Sequence, residues 1–303
     1  MQLRPKILSP FLLKGTSWTR QYGDRLLLIA LGLCATIAGV ISLFIVFFLP
    51  KESIPLLQNI GIHRFFSDES WTPSQQQYNL VSMIVGSLLA MVGAVAIATP
   101  LGILSAIFCQ YYAPGAIATL YRRLIELLAG IPSVVYGFWG LVVLVPIIGR
   151  IHPPGPSLLA GILILAMMIL PTVALTADAS LTTLPQSHTF GSYSLGLSRW
   201  TTLVHILLPA AKGGILTGLM LATGRAIGET MAILMVCGNV VQVPDSLFAP
   251  MRTLTANIAL EMAYATGDHR SALFVSGLFL MIVVVLIVLM AEGFKEDECR
   301  SDG

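Results

Sequence analysis

Two ionisable side chains sit where a bilayer would tolerate them least. The run GGILTGLMLATGRAIGETMAILMVCG, residues 213–238, is apolar nearly throughout and long enough to cross a bilayer as one helix, yet it carries Arg225 and Glu229 near its middle. A charge at the centre of a membrane helix costs roughly 2.5–3.5 kcal/mol on insertion scales, so each group needs a partner or water. Their spacing of four places both on the same helix face and within reach of each other. Two chemistries fit that pattern. The pair is either a structural ion pair that locks the helix to its neighbours, or one face of a polar path, with Thr230 beside it, where the guanidinium meets an anion. Gly224 and Gly228 form a small-xxx-small pair that would let another helix approach closely.

The rest of the composition narrows the setting. The chain is 56% hydrophobic and only 11% charged, with a mean hydropathy of +0.85. Soluble domains carry about a quarter charged residues, so this is an integral membrane protein. A net charge of +2 is too small and too dispersed to indicate nucleic acid. Cys34, Cys109, Cys237 and Cys299 are far apart and read as small hydrophobes, and the five histidines show no ligand spacing. Neither a zinc-protease motif nor a Walker A sequence occurs, so no metal, no cofactor and no catalytic site is expected on this chain.

The elements that must position the charged pair are six apolar helices, which makes the expected fold all-α. A basic segment, residues 1–25, precedes a first span at 26–49, whose core is too long for a signal peptide and lacks a small-residue cleavage site. Residues 50–79 are mixed and polar, with Pro50, Pro55, Trp71 and Pro73: a loop or small cap outside the bilayer. A five-span core fills residues 80–291. Its second span runs from Leu80 to about Phe108, kinked at Pro100, and its third from about Leu124 to Ile148, broken at Pro132 within AGIPSVVYGFWG. The fourth runs from Ser157 to Ala177, bent near Pro171; the fifth is the run 213–238, and the sixth is Ser271 to Ala291, before a tail at 292–303. Basic residues concentrate on the side of the N-terminus, so both termini are expected in the cytoplasm.

The connection at 178–212 is too long for a simple turn. Leu195, Leu197, Trp200, Leu203 and Ile206 recur among polar residues, which fits either a docking surface for a partner or a helix lying on the membrane.

At this loop the sequence resembles a known family. LGLSRWTTLVHILLPAAKGGILTG is similar to the cytoplasmic loop of type I ABC importer permeases, with Gly196, Ile206, Leu208 and Pro209 at the family's spacing. GRAIGETMAILMVCGN, AGIPSVVYGFWGLVVLVP and RTLTANIALEM narrow the resemblance to the PstC-type permeases of phosphate-specific transport (Pst) systems. One departure stands out: the family's E-A-A triplet is here Phe190, Gly191 and Ser192, so the usual Glu is missing.

The resemblance implies an ABC importer subunit in the bacterial inner membrane, with a PstA-type permease, two PstB-type ATPases and a periplasmic phosphate-binding protein as partners. ATP and Mg would sit on the ATPase. Tyr193, Leu195, Gly196, Leu197, Arg199 and Trp200 would form the coupling contact, and Arg225, Glu229 and Thr230 would line the phosphate path. The fork of guanidinium donors matches a phosphate oxyanion and stays charged in a dehydrated path. Four alternatives remain open: a same-fold permease for another oxyanion or an organic solute, a secondary transporter using Glu229 for proton coupling, a membrane enzyme, for which no nucleophile–base pair is present, and a purely regulatory membrane subunit.

Overall fold

In lipid every backbone polar group must find its partner within the chain, so apolar runs become helices, and any break must be sheltered by protein. A computed structural model describes the backbone of residues 17–301 and the side chains of 25–289. The tail at 292–303 and all but the last residue of the basic segment at 1–25 lie outside the described side chains. Among the described residues, six helices are long and apolar enough to cross a membrane.

The chain divides at residues 51 and 52 into two units. In the first, α1 (Ser17–Ile60) presents side chains such as Leu26, Ile37, Phe44 and Phe47 fully to the surroundings, as a lipid-facing helix does. Helix α1 runs eleven residues past the expected end at 49, because the Pro50 ring fits the helix without breaking it, and its last turns enter the second unit.

In the second unit, residues 52–80 form a packed cap and not a simple loop. Helix α2 (Arg64–Ser67) and a hairpin of β1 (Trp71–Thr72) and β2 (Gln77–Tyr78), paired Trp71 to Tyr78, enclose Leu56, Phe65 and Leu80. The Asp68 carboxylate fixes the hairpin by accepting from the Tyr78 amide at 2.9 Å and from Arg64 Nε at 3.2 Å. Burial raises the pKa of the Tyr78 phenol.

Helix α3 (Val81–Ile107, continued by a π turn to Tyr112) and α7 (Leu158–Thr182) form the central pair. Small residues on α3 meet branched ones on α7: a Cβ on Gly93 would lie 2.6 Å from Ile162 Cδ1, and one on Gly102 would lie 2.7 Å from Val173 Cγ1. The third span, expected from about Leu124 to Ile148 with a break at Pro132, instead begins after that proline and covers Ser133–Ile151, and the segment before it is a separate helix. Helix α4 (Gly115–Ala129) stops at Gly130, and α5 (Ser133–Trp139) starts after Pro132 and passes through a π turn into α6 (Val145–Ile151). The Tyr136 hydroxyl donates to the Leu128 carbonyl across this break at 2.9 Å.

The connection expected at 178–212 is shorter than that range. Helix α7 continues to Thr182, α8 (Gln186–Ser194) fills the middle, and α9 (Arg199–Thr202) already begins the fifth span, running through a π turn into α10 (Leu208–Ile227). That span therefore covers Arg199–Ile227 and not 213–238. After it come α11 (Met231–Val236), a loop, α12 (Leu254–Glu261) and α13 (Gly267–Ser301).

Helix α10 lies along α7, but not through the expected glycines. A Cβ on Gly224 would meet nothing within 4 Å, and one on Gly228 only the Gly224 carbonyl. Gly214 and Gly218 make the close approach, against Ser180 and Thr176. The hydroxyls of Ser180 and Thr176 bond back to carbonyls of their own helix, so this contact leaves no polar atom stranded.

Candidate functional site: the break after α10

Helix α10 ends in a stop and a restart. Gly228 closes it, its amide reaching the Gly224 carbonyl at 3.3 Å, and Thr230 precedes the apolar MAILMV that forms α11. Arg225 sits in the last turn before this break and Glu229 within it. They do not pair: no ion pair within 4.0 Å joins them among the described residues. The expected shared helix face fails because the helix that would carry it ends at Ile227.

Each charged group is held by a different neighbour. Arg225 is half-buried, and its Nη1 lies 3.5 Å from Thr172 Oγ1 on α7, directly after Pro171. Pro171 lacks an amide hydrogen and so leaves the carbonyl one turn earlier without its helical donor, which makes this stretch of α7 locally polar. Glu229 turns its carboxylate onto α11, where Oε1 accepts from the Ala232 amide at 3.1 Å. That bond satisfies one of the orphan donors at the start of α11, while the Thr230 hydroxyl instead reaches back to the Gly228 carbonyl at 3.3 Å.

Two further elements hold the break. The Thr255 hydroxyl on α12, itself buried, donates to the Glu229 carbonyl at 2.9 Å. On the opposite side α5 crosses α11 in backbone contact, since a Cβ on Gly137 would lie 2.7 Å from the Ala232 Cα. Helices α5 and α11 thus meet where Glu229 is anchored. A half-buried guanidinium with no carboxylate partner among the described residues, next to the Thr172 hydroxyl and a helix break, can receive an oxyanion through its donor fork. Thr172, Thr255 and the Ala232 amide escaped the sequence reading. Of these, Thr255 lies in RTLTANIALEM, where only its quoted motif singled it out.

The residues assigned to coupling gather at the opposite end of the second unit from the cap. Gly196 takes a left-handed backbone, φ +71°, closing α8 so that the Leu197 amide returns to the Ser192 carbonyl at 3.1 Å. Ser198 Oγ then accepts from the Thr201 amide at 3.1 Å and starts α9. Leu195 (78%), Trp200 (63%) and Tyr193 (50%) are left exposed, as is Phe190 where the family has Glu. Leu203 and Leu207, by contrast, turn into the core. Behind this surface Arg122 on α4 meets the Asp178 carboxylate on α7 at 2.9 Å and also donates to Gln110 at 2.7 Å. The hydrogen bond that Arg122 donates to Asp178 raises the Arg122 pKa above its ordinary value.

Comparison with known proteins gives the family and the fold. Residues 98–294 match the family described as binding-protein-dependent transport system inner membrane component. A probable ABC transporter permease, YqgH of Bacillus subtilis, is 38% identical over 265 residues, covering 85% of this chain and 86% of the relative. A phosphate transport system permease protein PstC from Mesorhizobium japonicum is 37% identical over 249 residues, 75% of this chain and 76% of its own length. Among solved structures, a bacterial alginate ABC importer superposes with a TM-score of 0.61 at 16% identity, over 92% of this chain and 99% of that one. The MetNI methionine ABC transporter gives 0.56 at 18%, over 72% and 93%. At such identities the structural likeness speaks for the fold.

Proposed function

The chain belongs to the family of binding-protein-dependent transport system inner membrane components, and we propose that it is the PstC-type transmembrane subunit of an ATP-driven phosphate importer. The observation that carries the reading is Arg225, a half-buried cation beside the break that ends the fifth span, with no carboxylate within ion-pair distance among the described residues. Such a charge is stable in an apolar setting only where water or an anion reaches it. The relatives named as PstC, from 34% to 37% identical over most of the chain in several bacteria, supply the choice of anion.

In this reading the protein sits in the bacterial inner membrane with both termini cytoplasmic. The cap faces the periplasm and its phosphate-binding protein, and α8 with Leu195 and Trp200 faces a PstB-type ATPase dimer. A PstA-type permease completes the path. ATP and Mg belong to the ATPase, whose closure moves the α8 end and alternates access to the break. This chain contributes binding and gating and no hydrolytic group.

Glu229 is assigned to selection. Phosphate near neutral pH still carries a proton and can donate to a carboxylate, whereas sulfate cannot. A carboxylate beside the path therefore disfavours fully ionised oxyanions while accepting a protonated one. Because Glu229 is turned onto α11, it does this without neutralising Arg225.

Copurification with the three partners, followed by phosphate-stimulated ATPase measurement in lipid, tests the reading. Stimulation by phosphate-loaded binding protein is expected. Stimulation by another oxyanion in its place would assign a different substrate to the same fold.

A further inference from the structure

The charge cluster in the cap and the break after α10 are joined by one short helix. At its start, α12 is capped by Thr253, whose Oγ1 accepts from the Ala256 amide at 3.2 Å and lies 3.1 Å from Thr255 Oγ1. Thr255 in turn donates to the Glu229 carbonyl at 2.9 Å. This start is fixed to α3 as well, since the Leu254 amide donates to Ser87 Oγ at 3.0 Å.

At its other end, α12 carries Glu261, a carboxylate only 7% exposed that gathers three groups from three segments. Trp71 Nε1 of the hairpin, Arg252 Nη1 of the preceding loop and His269 Nε2 of α13 each lie 2.8 Å from one of its oxygens. Arg252 also donates to Asn257 Oδ1 in the middle of α12 at 3.0 Å and to the Asn239 carbonyl at 2.9 Å. Beside Glu261 a cavity of about 530 Å³ opens between the hairpin and the turn before α13, lined by Trp71, Ser74, Tyr264 and His269 among others.

Two turns of helix, held by hydrogen bonds at both ends, connect the hairpin to the break, so a displacement of Trp71 would reach Glu261 and, along α12, Thr255. A free carbonyl inside a helix break is where such a displacement has most effect, because no helical bond opposes it.

We propose that Thr255 is a positioning residue for Glu229, and that α12 conveys the state of the cap to the break after α10 through it. This rests on the reading of Arg225 and Glu229 as lining the path. It adds a physical connection between that path and the face of the protein where the binding protein would arrive.

The test uses the whole complex in proteoliposomes, with phosphate-loaded binding protein outside. Thr255→Val keeps the shape and removes the donor; it is expected to lower the maximal uptake rate about three- to ten-fold, as loss of one buried hydrogen bond allows, with KM within about twofold. Thr255→Ser keeps the donor and is expected to restore the rate. A Thr255→Ser variant as slow as Thr255→Val would show that shape and not the hydrogen bond matters, which overturns the proposal.

Trp71→Phe removes the donor to Glu261 far from the path. It is expected to lower the stimulation of ATPase by binding protein and to leave the unstimulated ATPase rate unchanged. In the double variant the two effects are expected to be non-additive, close to the larger single one, because both cut the same connection. Effects that multiply would overturn the proposal. Arg225→Gln run in parallel reports on the path itself: full uptake there removes the path reading even if the Trp71 and Thr255 variants stay coupled.

Discussion

Arg225 and Glu229, four residues apart, face different partners: the guanidinium points to Thr172 on α7 at 3.5 Å and the carboxylate to the Ala232 amide on α11 at 3.1 Å. The two charges therefore act separately. Glu229→Gln keeps an acceptor for the Ala232 amide, so the complex is expected to assemble, with a loss of about 1 kcal/mol from a weaker cap. Phosphate flux is expected to fall and sulfate exclusion to relax, measured by uptake of each anion in reconstituted complex. Unchanged values for both would remove the selective role from Glu229.

The crossing of α5 and α11 depends on a missing side chain. A Cβ on Gly137 would sit 2.7 Å from the Ala232 Cα, which is backbone and cannot turn aside. Gly137→Ala is expected to destabilise the chain by about 1–3 kcal/mol, the cost of overpacking. Thermal unfolding in detergent checks this, and a wild-type midpoint would show that the two helices can separate freely.

The same measurement separates two pairs of glycines on α10. Gly218→Val should be strongly destabilising, because the space is filled by Thr176, whereas Gly224→Ala should be tolerated by the isolated chain, since nothing lies within 4 Å of the added carbon. Equal effects at the two positions would contradict this packing of α10 on α7.

Glu261 concentrates the cap's charge. Glu261→Ala removes the acceptor of the Trp71 indole and the charged partner of Arg252, which keeps only Asn257 and the Asn239 carbonyl, and is expected to cost about 3 kcal/mol. The reading predicts a lower unfolding midpoint with membrane insertion retained. An unshifted midpoint would mean that water replaces the carboxylate at no cost.

At the other end, Leu195 and Trp200 are exposed and contribute little to the chain's own packing. Leu195→Ala with Trp200→Ala is expected to leave unfolding of the isolated chain unchanged and to reduce copurification of the ATPase. Full retention of the ATPase would move the docking surface elsewhere.

The sequence made the spans legible because long uncharged runs have few alternatives in a membrane, and Pro132 marked a helix boundary through its missing amide hydrogen, although the third span begins after it and not around it. It misled at the α10 break. A spacing of four between Arg225 and Glu229 implies a shared face only if the helix continues, and Gly228 with Thr230 is a stop-and-start signal that reads equally as a small-residue contact. The boundary of the loop before the fifth span was misplaced for a related reason: Leu203 and Leu207 are apolar because they enter the core, not because they face a partner. Thr255 could not be found from spacing, since its contact with Glu229 joins residues that only the tertiary fold brings together.

Phosphate uptake by complex carrying Arg225→Gln tests the central claim most directly. The account predicts full assembly with the partner subunits and a fall in uptake of about 10- to 100-fold, the range expected when a charged hydrogen-bond donor to the anion is lost. Uptake retained at the wild-type rate would show that Arg225 does not receive the anion, and a complex that no longer assembles would show that it holds the helices together.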